Sequence, residues 1–427
     1  MRKRRLSCAV VLLGSSWGCS SPDANHDPAA TSAGSSSTAG AAGTTTAGSG
    51  NGGTPAGSAG TSANAGGSGG TSVAMPQAGA GASGAPASGG AAGAPAMPDP
   101  VAGTPEAKWV NVTGTLAGMA SECGNLGRVD ADPFADLLIV GVAKKGLFGS
   151  TDGGTSWKPL GATGDAITNR ISYIAYDPKA PMTFWESGIY NGGGVYKTTD
   201  GGATFKAAGT VTHNDSVSVD FSDPSRMTLL AGSHEQSQKL FRSTDGGATW
   251  KDIGQALPAG TGFCTISTIL DSKTFVIGCG GWYGGTPGIY RSTDGGTSFA
   301  KVSDVGVAEQ PLRASDGAIY WAGHQGGGLY KSTDQGQHFS QVADPSKALA
   351  FAPIELPNGQ IVVVGPSTLM MSADHGMTWQ PLADPLPFKP NGVTYSAYRN
   401  AFYVWQWDCK DVVLPNAIMR FGYDYRK

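Results

Sequence analysis

Short runs of alternating apolar and polar residues fill the chain from residue 107 to its end. Clear examples are ISYIAYDPKAPMTFWES (171–187), VSVDFSDPSRMTLLAGS (217–233) and AIYWAGH (318–324). A period of two is typical of β-strands, and the Asp, Pro and Gly residues between runs predict turns. The pattern therefore predicts an all-β domain.

A ten-residue box recurs six times within this domain. Its copies are FGSTDGGTSW (148–157), YKTTDGGATF (196–205), FRSTDGGATW (241–250), YRSTDGGTSF (290–299), YKSTDQGQHF (330–339) and MMSADHGMTW (370–379). The Asp carboxylate can accept backbone N–H groups of the turn that it begins, and Gly tolerates a left-handed backbone. The aromatic residue that follows starts a new strand with a large apolar face. Each box is therefore predicted to be a hairpin corner.

The spacing of the boxes predicts the number of blades. The box aspartates fall at 152, 200, 245, 294, 334 and 374, and a period of about 40–50 residues with four strands each is typical of a β-propeller. The segments VTYSAY, AFYVWQW and AIMRFGYD near the C-terminus lack a box and a fourth strand. KWVNVTG (108–114) matches the missing strand, so we predict a seventh blade that closes the ring.

These boxes resemble those of the Asp-box, or BNR-repeat, β-propeller superfamily. That group includes sialidases, xyloglucan-cleaving glycoside hydrolases, sortilin-type receptors and a photosystem assembly factor. The resemblance implies structural roles for Asp152, Asp200, Asp245, Asp294, Asp334 and Asp374, because in the family the boxes lie on the face opposite the active site. It leaves activity open, because members range from enzymes to binding scaffolds.

The N-terminus has the features of an export signal. MRKRR is basic, Leu6–Gly14 is a short apolar stretch, and Gly18 precedes Cys19. The segment resembles a bacterial lipoprotein signal over residues 1–18, which implies lipidation of Cys19 and a cell-envelope location. Ser16 and Trp17 depart from the usual motif, and ordinary cleavage with secretion is the alternative. Residues 19–106, rich in Ala, Gly, Ser and Thr, are predicted to be a flexible linker before the propeller at 107–427.

Composition limits the classes of partner. The net charge is −3 and 14% of residues are charged, which gives no reason to expect nucleic acid or an anionic membrane surface. The membrane is expected only through the lipid, the protein is expected to be a monomer, and no cofactor is expected. The run DADPFAD (130–136) has calcium-like spacing but lies at a predicted turn, and no cysteine spacing indicates zinc, so no metal is expected.

The cysteines that follow Cys19 in the chain are consistent with a protein in an oxidising compartment. Cys264 begins a predicted inner strand and Cys279 ends the neighbouring one, so we predict a Cys264–Cys279 disulfide. Cys123 and Cys409 form the second candidate pair. Four cysteines allow three connectivities, and the sequence does not select among them.

Predicted loops on the face opposite the boxes carry a distinctive set of side chains. Candidate ligand-binding residues are Arg170, His213, Asn214, His234, Trp282, Tyr283, His324 and Trp407, and Trp185, Tyr190 and Trp405 are predicted to lie nearby. Aromatic rings cover the C–H face of a sugar while polar groups bind its hydroxyls. Packing between blades is the alternative for Trp185, Tyr283 and Trp405.

Two facing carboxylates could hydrolyse a glycosidic bond. Asp215 and Glu235 are the preferred pair, because both are predicted at the same end of adjacent strands, with Glu186, Glu122 and Asp408 in reserve. The three arginines of a sialidase are not in place, so true sialidase activity is not expected. The sequence thus predicts an exported propeller that recognises a carbohydrate polymer, with hydrolysis undecided. A non-catalytic protein-binding or assembly scaffold is the alternative.

Overall fold

The computed structural model describes residue 103 and residues 105–122, 125–161, 167–280, 285–307, 309–324, 327–407 and 413–427. The predicted signal peptide, Cys19 and nearly all of the predicted linker lie outside these residues. The same holds for five further residues of the sequence predictions: Cys123, Trp282, Tyr283, Asp408 and Cys409.

Twenty-eight strands of the described residues form seven four-stranded antiparallel sheets, which are the blades of a β-propeller. The seven-bladed fold predicted from the box spacing is therefore confirmed. Two short 3-10 helices, Gly114–Leu116 and Gly254–Ala256, accompany the strands. No helix in the described part of the chain is long and apolar enough to cross a membrane.

Strand β1 (Trp109–Asn111) comes first in the chain but belongs to the last blade. Blade 1 contains β2 (Leu126–Ala131), β3 (Leu138–Val142), β4 (Gly146–Ser150) and β5 (Lys158–Pro159). Blade 2 contains β6 (Arg170–Tyr176), β7 (Phe184–Ile189), β8 (Gly194–Thr198) and β9 (Lys206–Thr212). Blade 3 contains β10 (Asn214–Val219), β11 (Leu229–Ser233), β12 (Leu240–Ser243) and β13 (Lys251–Asp252).

The next three blades continue the ring in chain order. Blade 4 contains β14 (Phe263–Ile269), β15 (Phe275–Gly280), β16 (Gly288–Ser292) and β17 (Ala300–Ser303). Blade 5 contains β18 (Leu312–Arg313), β19 (Ile319–Ala322), β20 (Leu329–Ser332) and β21 (Ser340–Ala343). Blade 6 contains β22 (Ile354–Glu355), β23 (Ile361–Val364), β24 (Leu369–Ser372) and β25 (Gln380–Pro381).

Blade 7 joins the two ends of the propeller. It contains β26 (Gly392–Ser396), β27 (Ala401–Trp405), β28 (Ile418–Gly422) and, as its outer strand, β1. Strand β1 pairs antiparallel with β28, with Trp109 opposite Phe421. The predicted closure of the ring by its first and last strands is confirmed.

The hydrophobic core is divided among the blade interfaces. Ile139 packs toward blade 2, whereas its neighbour Val140 packs toward blade 7. Leu229 and Leu230 likewise face blade 2 and blade 4. Successive residues of a strand point to opposite sides of the sheet, so the alternation in the sequence supplies one apolar layer to each neighbouring blade. Seven such clusters, one at each blade interface, hold the ring together.

Each box is closed by hydrogen bonds of its Asp and of the Ser or Thr before it. In blade 3, Asp245 accepts the backbone N–H of Thr249 at 2.9 Å and its hydroxyl at 2.5 Å. Ser243 donates to Asp245 and accepts the N–H of Gly247, both at 2.8 Å. Gly247 has φ of 95°, a backbone conformation that favours glycine. The hydroxyl of Thr249 and the backbone N–H groups lower the pKa of Asp245 to about 2.

The boxes also define the two faces of the propeller. Each box joins the third and fourth strands of its blade, so the first strand of the blade begins at the opposite side. We call the side with the boxes the box face and the opposite side the loop face. The loop face carries the start of each first strand and the connection between the second and third strands.

One disulfide lies among the described residues, between Cys264 and Cys279 of β14 and β15. This pairing confirms the prediction made from the strand positions. Both cysteines are fully buried at the interface of blades 3 and 4. A disulfide fits a protein exported to an oxidising compartment.

The buried hydroxyl of Ser243 provides a test of the box. Ser243→Ala leaves the N–H of Gly247 without its acceptor, so we expect the free energy of unfolding to fall by about 1–3 kcal/mol. Chemical denaturation measures the change. Ser346→Ala removes an exposed hydroxyl that also bonds an Asp, and should change stability by less than about 0.5 kcal/mol. Equal effects of the two substitutions would contradict a structural role for the box.

Candidate functional site

Polar and aromatic side chains meet on the loop face where blades 2 and 3 adjoin. Arg170 begins β6, Tyr190 follows β7, and His213 and Asp215 lie at the start of β10. His234 follows β11. All five side chains are half-buried. We call Arg170, Tyr190, His213, Asp215 and His234 the loop-face cluster.

A chain of hydrogen bonds crosses this cluster. The Nδ1 atom of His234 lies 2.9 and 3.0 Å from the two carboxylate oxygens of Asp215. On the other side of the ring, Nε2 of His234 lies 2.9 Å from the hydroxyl of Tyr190. Asp215 therefore fixes the orientation of the imidazole, and the imidazole in turn contacts a phenol.

Glu235 reaches the same histidine from the other side. Its Oε1 lies 3.6 Å from Nε2 of His234, and 47% of its side chain is exposed. Asp215 and Glu235 are thus brought together, but around one imidazole ring. Their predicted role as a pair of hydrolytic acids stays a prediction.

The environments of the two histidines differ. Burial lowers the pKa of His213, and the nearby His234 lowers it further against the opposing charges of Asp215 and Glu235. Burial also disfavours the charged form of His234, but its bond to Asp215 and the two carboxylate charges outweigh this effect and raise its pKa. The neutral form is therefore favoured more strongly for His213, and the protonated form more strongly for His234.

The backbone holds these side chains in unusual conformations. Tyr190, His213 and Glu235 have φ values of 56°, 54° and 52°, in the left-handed region that non-glycine residues rarely adopt. The N–H of His234 donates to the carbonyl of His213 at 2.7 Å, and the N–H of His213 donates to that of Gly193 at 3.0 Å. Such conformations persist only when the surroundings enforce them, and they concentrate at functional sites.

Aromatic rings flank the guanidinium of Arg170. Its Cζ lies 5.0 Å from the centre of the Tyr190 ring and 5.8 Å from that of Trp407. The backbone N–H of Trp407 donates to the side chain of Asn391 at 2.9 Å. These contacts extend the loop-face cluster toward blade 7.

Glu122 lies beside the cluster. It forms an ion pair with Lys144 at 2.8 Å and accepts a hydrogen bond from Asn191, the residue after Tyr190. The carboxylate is thereby held by blade 1 and blade 2 together. It contacts the loop that carries Tyr190.

The predicted loop positions of Trp185, Glu186 and Trp405 are wrong. Trp185 and Glu186 lie inside β7, and Trp405 ends β27. Trp185 packs between blades 2 and 3, and Trp405 packs between blades 7 and 1, so the packing alternative holds for both. The sequence signal was ambiguous because an apolar ring suits a blade interface as well as a sugar.

Glu186 is fully buried in blade 2. It accepts a hydrogen bond of 3.3 Å from Asn169, and its Oε1 has no hydrogen-bond partner among the described residues. Burial raises the pKa of Glu186 to about 8, against the smaller opposing effect of Asn169. Gly188 leaves the space that the Asn169 side chain fills. Glu186 therefore has no open access to a ligand.

Two further candidates lie apart from the hydrogen-bonded chain. Asn214 is fully buried, and its side chain donates to the carbonyl of Gly232 at 3.3 Å. His324 lies in blade 5, where its backbone N–H donates to Gly306 and burial lowers the pKa of its ring. Neither forms a described contact with Tyr190 or His234.

The propeller axis contains a cavity that the sequence predictions missed. Its volume is about 670 Å³, and the first strands of all seven blades line it. Arg128 pairs with Asp130 there and lies 5.1 Å from the centre of the Tyr173 ring. Burial raises the pKa of Glu309 in the same cavity against the charge of Arg128. The two charged residues Arg128 and Asp130 in the inner strand LGRVDA could have indicated a polar cavity at the axis.

Metal binding has no evident place in the described residues. No group of three His, Cys, Asp or Glu side chains in these ranges could hold an ion.

Comparison with known proteins shows the fold. No protein-family model matches the chain, and a search of curated proteins finds no match. A GH74 enzyme from Niastella koreensis has a TM-score of 0.53 and 17% identity, over 71% of this chain and 55% of that enzyme. This chain thus spans about half the length of that enzyme.

Two other kinds of protein share the architecture. YCF48 bound to D1 peptide has a TM-score of 0.50 and 13% identity, covering 77% of this chain and 99% of that one. The extracellular domain of the putative hybrid two component system BT4673 from B. thetaiotaomicron has a TM-score of 0.51 and 12% identity, over 74% and 40%. At these identities the likeness establishes a β-propeller fold.

We expect the buried carboxyl of Glu186 to make the stability of the propeller depend on pH. Because its pKa is raised in the folded state, stability is greatest below its ordinary value of 4.5 and falls as pH rises toward about 8. Glu186→Gln keeps the shape without the charge, so we expect it to raise stability above pH 5 by a few kcal/mol and to flatten the profile.

Thermal unfolding from pH 4 to pH 9 measures both profiles. Asp304→Asn is the control, because the Asp304 side chain is 94% exposed and should leave the profile unchanged. Parallel profiles for Glu186→Gln and the native protein would contradict the assignment.

Proposed function

We propose that this chain is an exported Asp-box propeller that recognises a carbohydrate polymer on its loop face. The observation that carries the proposal is the stacking of Arg170 on Tyr190 and Trp407 beside the hydrogen-bonded Tyr190–His234–Asp215 chain. Flat rings next to fixed polar groups suit the apolar C–H face and the hydroxyls of a sugar.

The rigidity of the site supports this function. Left-handed residues and backbone hydrogen bonds between loops hold Tyr190, His213 and His234 before any ligand arrives. A preformed site loses little conformational entropy on binding. This benefit matters for sugars, because it offsets part of the free energy that a sugar hydroxyl loses when it gives up its bound water.

We infer the family and the location of this chain from its boxes, its disulfide and the proteins that share its fold. The hydrogen bonds of the boxes and the likeness to a GH74 enzyme support membership of the Asp-box group. The Cys264–Cys279 disulfide and the likeness to extracellular propeller domains support export. We further propose that lipid on Cys19 anchors the chain and that residues 19–106 act as a tether.

The second candidate is a non-catalytic scaffold that binds protein. The likeness to YCF48 bound to D1 peptide, over almost the whole of that chain, favours this hypothesis. The first function requires the loop-face cluster to bind a polysaccharide, and the second requires it to bind a protein. Binding experiments with polysaccharides therefore distinguish the two.

Substitutions in the aromatic rim test carbohydrate recognition. Trp407→Ala and Arg170→Ala each remove a stacking partner, so we expect at least about tenfold weaker binding to the polysaccharide that the full chain retains. Affinity electrophoresis with plant, algal and bacterial polysaccharides supplies the measurement. Met377→Ala is the control, because Met377 is exposed on the box face and should leave binding unchanged. Lack of retention on every polysaccharide would move the proposal to protein binding.

A double variant of Asp215 and Glu235 tests whether these acids take part in cleavage. Both contact His234, so Asp215→Ala/Glu235→Ala is expected to abolish any cleavage of the bound polysaccharide. Mass spectrometry of the products with native and variant protein gives the answer. Cleavage that persists in the double variant would assign the reaction to other residues.

A further inference from the structure

Charged side chains line the cavity on the propeller axis. They are Arg128, Asp130, Glu309 and Arg313. Arg128 forms an ion pair with Asp130, and both side chains are largely buried. Burial lowers the pKa of Arg313, and the charge of the nearby Asp220 opposes this effect. Each of the two arginines therefore has an aspartate beside it, and the carboxylate of Glu309 is the charge that remains.

The carboxylate of Glu309 has no counter-charge of its own. No ion pair or hydrogen bond joins it to another of the described residues. Burial raises its pKa, the charge of Arg128 opposes this effect, and the charge of Asp215 adds to it. A carboxylate removed from water without a partner is destabilised in its charged form, and a cation beside it favours that form again. The axis therefore carries one negative charge that a bound cation would balance.

The backbone fixes the position of Glu309 at the axis. Its φ of 57° lies in the left-handed region that non-glycine residues rarely adopt. The indole Nε1 of Trp321 donates a hydrogen bond of 3.0 Å to its carbonyl oxygen. Trp321 is fully buried at the interface of blades 4 and 5. Such a backbone persists only when its surroundings enforce it, so the placement of this acid is part of the fold.

Two amide side chains line the cavity near Glu309 and near the loop face. Gln310 is only 7% exposed, and its Nε2 has no hydrogen-bond partner among the described residues. A buried N–H group without an acceptor costs free energy, which the oxygen of a ligand hydroxyl would restore. Asn391 accepts the backbone N–H of Trp407 at 2.9 Å. The cavity thus adjoins the ring of Trp407, where we propose that the polysaccharide binds.

We propose that the axial cavity binds the terminal residue of the polysaccharide, and that this residue is an amino sugar. Its protonated amine binds the carboxylate of Glu309, and one of its hydroxyl oxygens accepts from Gln310. The cavity volume of about 670 Å³ is typical of small-ligand sites, which span about 300–1,000 Å³. Because all seven blades enclose the cavity, it admits the end of a chain and not its middle. An ammonium group suits this site better than a hydroxyl, since charge-assisted hydrogen bonds are the stronger ones.

This inference rests on the carbohydrate recognition proposed above, so the experiment includes a monosaccharide that does not need the loop-face cluster. The full chain is titrated by calorimetry with the β-1,4-linked hexamer of glucosamine, in a buffer in which the amine is protonated. Cellohexaose is the matched neutral ligand, because it has the same linkage with a hydroxyl in place of each amine. Glucosamine and glucose are the corresponding monosaccharides. We expect the amine to bind at least about tenfold more tightly than its neutral counterpart in both pairs.

Two substitutions locate the interaction. Glu309→Gln keeps the shape without the charge, so it should weaken binding of the glucosamine hexamer by about tenfold or more and leave cellohexaose within about twofold. Trp407→Ala should weaken both hexamers by about tenfold but leave glucosamine within about twofold, because Trp407 lies outside the cavity. Glu106→Gln is the matched control, since the Glu106 side chain is 73% exposed and should change neither affinity. A thermal midpoint no lower than that of the native protein establishes that Glu309→Gln is folded.

Each contrary result overturns a defined part. Equal affinity for the glucosamine hexamer and cellohexaose overturns the inference, and carbohydrate recognition stands. A preference for the amine that survives Glu309→Gln overturns the assignment to the axial cavity. Calcium chloride alone is titrated as well, and binding that depends on Glu309 in the absence of amine binding would assign the carboxylate to a metal ion instead.

The monosaccharide separates the failure of the inference from the failure of the proposed function. Glucosamine that binds through Glu309 while no polymer binds would overturn the proposed function and the role of the chain end. Retention of other polysaccharides with no binding of glucosamine or its hexamer overturns the inference alone. No binding of any saccharide overturns both.

Discussion

The pairing of β1 with β28 is the constraint on which the remaining structure depends. Trp109 lies against Phe421, with ring centres 5.1 Å apart. The hydroxyl of Thr113, just after β1, accepts the N–H groups of Ala417 and Ile418 at 2.8 and 3.0 Å. Because these contacts join the two ends of the domain, blades 7 and 1 gain an interface equivalent to the other six. Closure brings the first strands of all blades around one axis.

The two faces of the propeller have different roles. On the box face, short hydrogen bonds from Ser, Thr and Asp side chains fix each corner, as in Ser243 and Asp245. On the loop face, connections between strands differ from blade to blade and carry His213, His234 and Tyr190, beside Arg170 at the start of β6. A repeated rigid framework thus supports one irregular site, as expected where function resides in loops on a scaffold.

The loop-face cluster depends on two neighbouring blades at once. Blade 2 supplies Arg170 and Tyr190, and blade 3 supplies Asp215 and His234. The interface below the cluster is packed by Trp185, Val217 and Leu229. This packing sets the distance between the blades, and with it the 2.9 Å contact from Tyr190 to His234. Core and site are therefore linked through one interface.

The sequence by itself determined the strands, the six boxes and the seven blades, because alternation, turn residues and repeat period are local properties; it predicted the Cys264–Cys279 disulfide, and the tertiary structure selected that pairing. It also predicted that Arg170, His213, His234 and Trp407 lie on one face, although Arg170 begins β6 instead of lying in a loop. Only the tertiary structure decided that Trp185 and Glu186 lie inside a strand and that Tyr190, 44 residues before His234, bonds to it. These outcomes depend on strand register and on the packing of neighbouring blades, which local sequence patterns do not encode.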